Sequence, residues 1–299
     1  PTSGSASTTN VESRGRLPPI LMLSLLPIGA SVVAQGFHER APNRYRQTVA
    51  ENAATSLDRR LLAKEVELQV EGPRGRLRAL LRELGVPETS QMLVFSKTSL
   101  QRHRVSPTNP RALYFGPDAY IGWIPGAASL EIAVGDAKLG LVFYTLPQDP
   151  GVAPRLTRDD SCLSCHAGPR TDDEPGLLLR SVFPDDQGIP IASAGETTVT
   201  FRSPIAERWG GWLVTGRFEG EHRGNGLACR DADGRWRVPS RPAANLGAFA
   251  DDFDAGVYPV QHSDIGALLA LEQQVTVHNL LIRAALQMRV LVHDSHLSA

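Results

Sequence analysis

From residue 91 onward the apolar pattern stops reading as helix and becomes a series of short β-type runs. They are Met92–Phe95, Ala112–Phe115, Ala119–Ile124, Leu130–Val134 and Leu139–Leu146. Each is bounded by Gly, Pro, Asn or Asp, the residues that supply turn geometry. Asn109-Pro110, Gly116-Pro117 and Pro125-Gly126 are the sharpest breaks. Further runs follow at Leu177–Phe183, Ile189–Ala194, Thr197–Phe201 and Trp212–Thr215. Upstream, 59–69 and 74–84 carry helical spacing, with Leu77, Leu80, Leu81 and Leu84 on one stripe before Gly85 and Pro87. The chain closes on a helix expected from about Ser263 to His293, capped by Ser263 or Asp264. The pattern predicts an α+β fold: a β-rich centre, an N-terminal helical segment and a long C-terminal helix.

Between the two sets of β-type runs lies a Pro-, Asp- and Gly-rich stretch, 147–176. Long irregular segments inside a domain are usually functional. This one contains Cys162-Leu163-Ser164-Cys165-His166, the Cys-x-x-Cys-His spacing of covalent haem attachment. Two thiols three positions apart reach two vinyl groups on one side of a porphyrin. The histidine that follows is then carried beneath the iron. Its second ring nitrogen needs an acceptor, often a backbone carbonyl, to fix the tautomer. Three other readings compete. Zinc could use Cys162, Cys165 and His166 with a fourth ligand such as Cys229. A redox dithiol would sit in a thioredoxin-like βαβ setting, which 147–176 does not show. A plain disulfide is open in an oxidising compartment.

At these residues the sequence resembles the c-type cytochromes. The likeness is confined to the motif and its export context. The small all-helical domain of that family, with its motif near the mature N-terminus and a downstream methionine ligand, is not matched. Leu93–Ser99 and Leu271–Leu280 are similar to segments of a bacterial group of exported monohaem proteins. The resemblance implies one haem c held by Cys162 and Cys165, with His166 as the proximal iron ligand, and electron transfer to another redox or haem protein.

What fills the opposite side of the iron separates an electron carrier from a peroxidase- or oxygenase-type enzyme or a gas sensor. His278 is the first candidate, because Leu271, Val275, Ile282 and Ala285 share its helical face. His222, in a polar glycine-bearing loop, is the second. His38, His103, His262, His293, His296, Met92 and Met288 complete the set. For most of these, and for His278 itself, ordinary packing is the competing explanation. Trp123, Phe143, Tyr144, Trp209 and Trp212 are candidate wall residues, and Arg202, Arg208, Arg217 and Arg223 are candidate propionate partners. Cys229 is expected to be a small buried hydrophobe.

Arg14 and Arg16 precede an apolar run, Leu17–Ala34, that ends in small residues. This reads as a signal peptide cleaved after Ala34, or as an uncleaved N-terminal anchor, and implies a periplasmic protein. Residues 35–58 read as a linker before a single mixed domain, 59–299. The formal net charge is −1, which argues against a broad surface for nucleic acid or anionic membrane. Membrane contact would come only through the N-terminal segment. No Walker loop, dinucleotide fingerprint, nucleophile elbow or HExxH string occurs.

Overall fold

The computed structural model describes residues 36–298; the expected export segment, 1–34, lies outside them. The elements in chain order are α1 (Ala53–Leu62), α2 (Leu77–Glu83), β1 (Met92–Val94), β2 (Arg111–Phe115), β3 (Ala119–Trp123), β4 (Ser129–Asp136), β5 (Gly140–Pro147), β6 (Thr157–Arg158) and α3 (Leu163–His166). Then come β7 (Arg180–Val182), β8 (Glu196–Thr198), β9 (Trp212–Leu213), β10 (Cys229–Arg230), β11 (Trp236–Arg237) and α4 (Ile265–Leu297). Seven strands form one sheet in the order β6-β5-β4-β3-β2-β1-β9. Every pairing in it is antiparallel. The fold is α+β with a β-rich centre, as the sequence pattern predicts.

Directly paired residues in an antiparallel sheet point to the same face, so the register sorts the side chains. One face carries Tyr144, Ile132, Ile121 and Tyr114, with Leu146, Leu130 and Trp123 beside them. All seven are buried in the main core, with α1 and α2 contributing Leu57, Leu77, Leu80 and Leu81. The opposite face carries two rows that matter for function. One row is Phe143, Ala133, Tyr120 and Phe115; the next is Thr145, Glu131, Gly122, Leu113 and Met92. On this face Leu113, Phe115, Glu131 and Thr145 are only half-buried. The segment holding α3 and the middle of α4 lie against it.

Local chemistry explains most boundaries. α1 begins before the expected position because Asn52 and Thr55 form a reciprocal capping box, worth about 1 kcal/mol. It stops at Lys64, whose φ is 58°. α2 ends in a Schellman motif: Val86 N donates to Leu81 O at 2.8 Å and Gly85 N to Arg82 O at 3.2 Å. Gly85, at φ 64°, takes the left-handed position. α4 is capped by Asp264, which accepts from Gly266 N at 2.7 Å and Ala267 N at 3.3 Å. Its 33 residues are long and apolar enough to cross a membrane. Leu268, Leu271, Val275, Leu286 and Val290 are nevertheless buried in the protein, while Leu280, Leu281, Met288 and Leu291 are exposed.

Three expectations need correction. Residues 36–58 are not a linker: Tyr45, Ala50, Ala54 and Leu57 belong to the core, and Tyr45 Oη donates to Leu141 O at 2.8 Å. Their polar composition hid this because the buried groups are few and widely spaced. Ile189–Ala194 is not a strand. Pro190 forms a single bridge with Pro184, and neither has an N–H to continue a ladder. Cys229 is exposed on the β10–β11 hairpin rather than buried.

Candidate functional site

The Cys-x-x-Cys-His segment is tied to the sheet at its start. β6 pairs Arg158 with Tyr144 of β5, and Asp159 N then donates to Phe143 O at 2.9 Å. Asp159 also turns the chain into α3, its carboxylate accepting from Ser161 N at 3.0 Å. α3 is a single turn, with Leu163 buried beneath it. All three cysteines are free thiols. Cys162 is half-buried against the core and Cys165 is exposed. Burial, reinforced by the negative charges of Asp159 and Glu131, pushes the Cys162 thiol up to about 12. It is therefore protonated at neutral pH.

His166 packs on Phe143, ring centroids 4.8 Å apart. Its Nδ1 lies 2.8 Å from Gly176 O. A carbonyl only accepts, so Nδ1 carries the proton and Nε2 keeps its lone pair. Nε2 makes no hydrogen bond among the described residues. Burial, with help from the Arg111 charge, holds the imidazole pKa below its ordinary value against the opposing pull of Gly176 O and Glu131. The ring is thus neutral at pH 7, with its free nitrogen in the form that ligates a metal.

The strap that supplies Gly176 is held at both ends. Glu174, 2% exposed, accepts from Phe37 N at 2.6 Å, His38 N at 2.9 Å and His38 Nδ1 at 3.1 Å. Asn279 of α4 accepts from Leu177 N at 3.0 Å and donates to Leu177 O at 2.8 Å. Gly176 N also returns to His166 O at 2.8 Å.

On the sheet floor, Arg111 reaches across Gly122 to pair with Glu131. A β-carbon at 122 would collide with that guanidinium. Gln101 Nε2 donates to Glu131 Oε1 at 3.2 Å. Arg111 Nε is buried without a hydrogen-bond partner among the described residues.

His278 comes to the same face of the sheet as His166. Its Nδ1 is 2.7 Å from Tyr120 Oη, and Gln274 Nε2 donates to that hydroxyl at 2.8 Å. Burial lowers the His278 pKa. Tyr120 and Phe143, the two side chains that these imidazoles touch, sit two strand spacings apart, about 10 Å. His222 belongs to another cluster, against Trp209 at 5.2 Å and Phe218 at 6.3 Å. Trp209 Nε1 in turn donates to Glu272 Oε1 at 2.6 Å.

Other expected roles divide in the same way. Phe143 does line the site. Trp123 and Tyr144 point to the opposite, core face, so they cannot form its wall. Arg208 is buried in an ion pair with Glu272 and is committed there. Met92 is fully buried in β1, whereas Met288 is 59% exposed rather than core. Sequence reading missed Tyr120, Arg111, Glu131, Glu174, Gly176 and Asn279. Only Asn279 carried a local signal, as a poor helix former within an apolar stretch.

Among the described residues no group of three or more His, Cys, Asp or Glu is assembled to hold a metal ion. No protein-family model, curated protein or solved structure matches this chain.

Proposed function

We propose that this chain is an exported monohaem c-type cytochrome that passes single electrons to a partner redox protein. Cys162 and Cys165 hold the porphyrin by thioethers and His166 ligates the iron. The carrying observation is His166: within Cys-x-x-Cys-His, its Nδ1 is fixed on Gly176 O at 2.8 Å, leaving Nε2 free. That nitrogen stands in a half-buried side chain directly after two free thiols in the chain, the arrangement the haem reading requires.

Each thiol would add across one vinyl group, sulfur to one carbon and hydrogen to the other, so attachment would need no oxidant and expel nothing. Once bound, the haem supplies a one-electron iron couple. Half-buried Leu113 and Phe115 give the site apolar surface on the face that carries Phe143. Arg111 pairs with Glu131 but keeps a buried Nε without a partner among the described residues, whereas every nitrogen of Arg208 is hydrogen-bonded, so Arg111 is the propionate partner in this reading. His278, supported by Tyr120, is the sixth ligand; its position on the same sheet face favours it over His222.

The test is haem staining on a denaturing gel, with absorption spectra of protein matured in the periplasm. Stained bands and a six-coordinate low-spin spectrum are expected. Cys162→Ser/Cys165→Ser should lose the stain. Stoichiometric zinc without a Soret band would overturn the reading. Covalent haem with a high-spin, cyanide-sensitive ferric spectrum would move the protein to the enzyme or gas-sensor class.

A further inference from the structure

We infer that Asn279 is the positioning residue for His166, acting through the strap Glu174–Leu177. The inference rests on the haem reading for its redox consequence, but not for its geometry. Asn279 binds both backbone polar atoms of one residue: Oδ1 accepts from Leu177 N at 3.0 Å and Nδ2 donates to Leu177 O at 2.8 Å. A side-chain amide that satisfies a backbone N–H and C=O together fixes that residue in translation and rotation. The neighbouring carbonyl, Gly176 O, is the one that accepts from His166 Nδ1 at 2.8 Å.

Close packing makes the coupling direct. A β-carbon at Gly176 would lie 2.7 Å from Asn279 Oδ1, so a side chain at 176 would have to displace the Asn279 amide. Glu174 holds the other end on Phe37 N, His38 N and His38 Nδ1. Gly176 O is therefore suspended between two anchors that lie far from it in sequence. One of them stands on α4 next to His278, the proposed sixth ligand. Asn279 thus links the α4 backbone that presents one imidazole to the carbonyl that orients the other. Second-shell acceptors of this kind raise ligand basicity and fix the tautomer.

The experiment compares wild type, Asn279→Ala, Asn279→Asp, Gly176→Ala and the Gly176→Ala/Asn279→Ala double variant. In haem-free Cys162→Ala/Cys165→Ala protein, nitrogen NMR reads the His166 tautomer directly. Wild type is expected to hold the Nδ1–H form. Asn279→Ala should lower the Nδ1–H to Nε2–H ratio about threefold to tenfold, the range of one neutral hydrogen bond. Asn279→Asp keeps the acceptor for Leu177 N and should fall between. Gly176→Ala should shift the ratio in the same direction, and the double variant should be less than additive, because both changes act on one contact. In haem-loaded protein the stained band should persist in Asn279→Ala while the reduction potential rises, as a less basic imidazole stabilises ferric iron less.

An unchanged tautomer ratio in both Asn279→Ala and Gly176→Ala, in protein whose melting shows it folded, would overturn the inference. So would strict additivity of the two changes. Absence of covalent haem from wild type would overturn the haem reading instead, and the tautomer measurement would still decide the role of Asn279.

Discussion

Tyr120 Oη shares a hydrogen bond with His278 Nδ1 at 2.7 Å and accepts another from Gln274 Nε2, so a strand in the middle of the sheet holds a histidine on the C-terminal helix. A mid-helix imidazole on an otherwise apolar stripe is ordinarily free to rotate about χ2. Here one nitrogen is committed and the other is left open. If His278 fills the sixth position, His278→Ala should turn a low-spin ferric spectrum high-spin and cyanide-sensitive. Tyr120→Phe should keep the ligand but weaken it, raising the fraction of high-spin protein. A low-spin spectrum unchanged in both variants excludes His278 as a ligand.

The Arg111–Glu131 pair exists because residue 122 has no side chain. The guanidinium crosses the space above Gly122, with the two side chains 20% and 17% exposed. Gly122→Ala should push Arg111 aside and cost about 1–3 kcal/mol, the usual penalty for overpacking. Arg111→Ala in the same background should recover part of that loss. Urea unfolding of the two single variants and the double variant measures the recovery, and full additivity would show that the two residues do not collide.

Glu272 is 2% exposed and accepts from both Arg208 and Trp209 Nε1. Burial raises its pKa, opposed by Arg208 and Trp209. Glu272→Ala leaves Arg208 charged and buried, so a loss of about 3–5 kcal/mol is expected. That is a large share of the stability of an ordinary domain. If the chain carries haem, the stain should survive in whatever fraction folds, since neither Arg208 nor Glu272 makes a hydrogen bond or ion pair with Cys162, Cys165 or His166 among the described residues. Denaturant midpoints and stained-band intensity separate the two effects.

Glu196 sits between Arg170, which follows the Cys-x-x-Cys-His segment, and Arg180 of β7. Burial alone would raise its pKa, but the two guanidinium groups outweigh it and hold the carboxyl below its ordinary value of 4.5. A carboxyl depressed in the folded state stabilises fully above its unfolded pKa and loses that contribution as pH falls through the folded value. The stability difference between wild type and Glu196→Gln should therefore be constant near neutrality and vanish below the ordinary carboxylate range. Because the group is partly exposed, the difference should be small and reduced by salt. A difference that grows towards low pH would contradict the assignment.

Much of the architecture was legible before any tertiary information. The five runs between 92 and 146 became β1 to β5 within one or two residues, because turn residues and β-branched or aromatic side chains act locally. The same holds for the Schellman end of α2 and the Asp264 cap of α4. Ile189–Ala194 misled because its apolar composition outweighed the missing donor of Pro190. The 36–58 segment misled because a handful of buried groups, Tyr45 foremost, tied it down without any periodicity.

The sequence by itself determined the chemistry on offer: two thiols and an imidazole at a spacing suited to a porphyrin, in an irregular stretch between strands. The tertiary structure decided how that chemistry is aimed. Which nitrogen of His166 is free depends on Gly176 O, and the next residue, Leu177, is held by Asn279 about a hundred positions away. Glu174 is anchored by His38, farther away still in the opposite direction. Whether Trp123 or Phe143 could wall the site depended on sheet register, which assigns neighbouring strand residues to opposite faces. Hydrogen bonds between distant segments leave no periodic trace in a single chain. Local propensity could therefore foretell the strands and the motif, but only the packed structure could bring Tyr120, Asn279 and Arg111 to them.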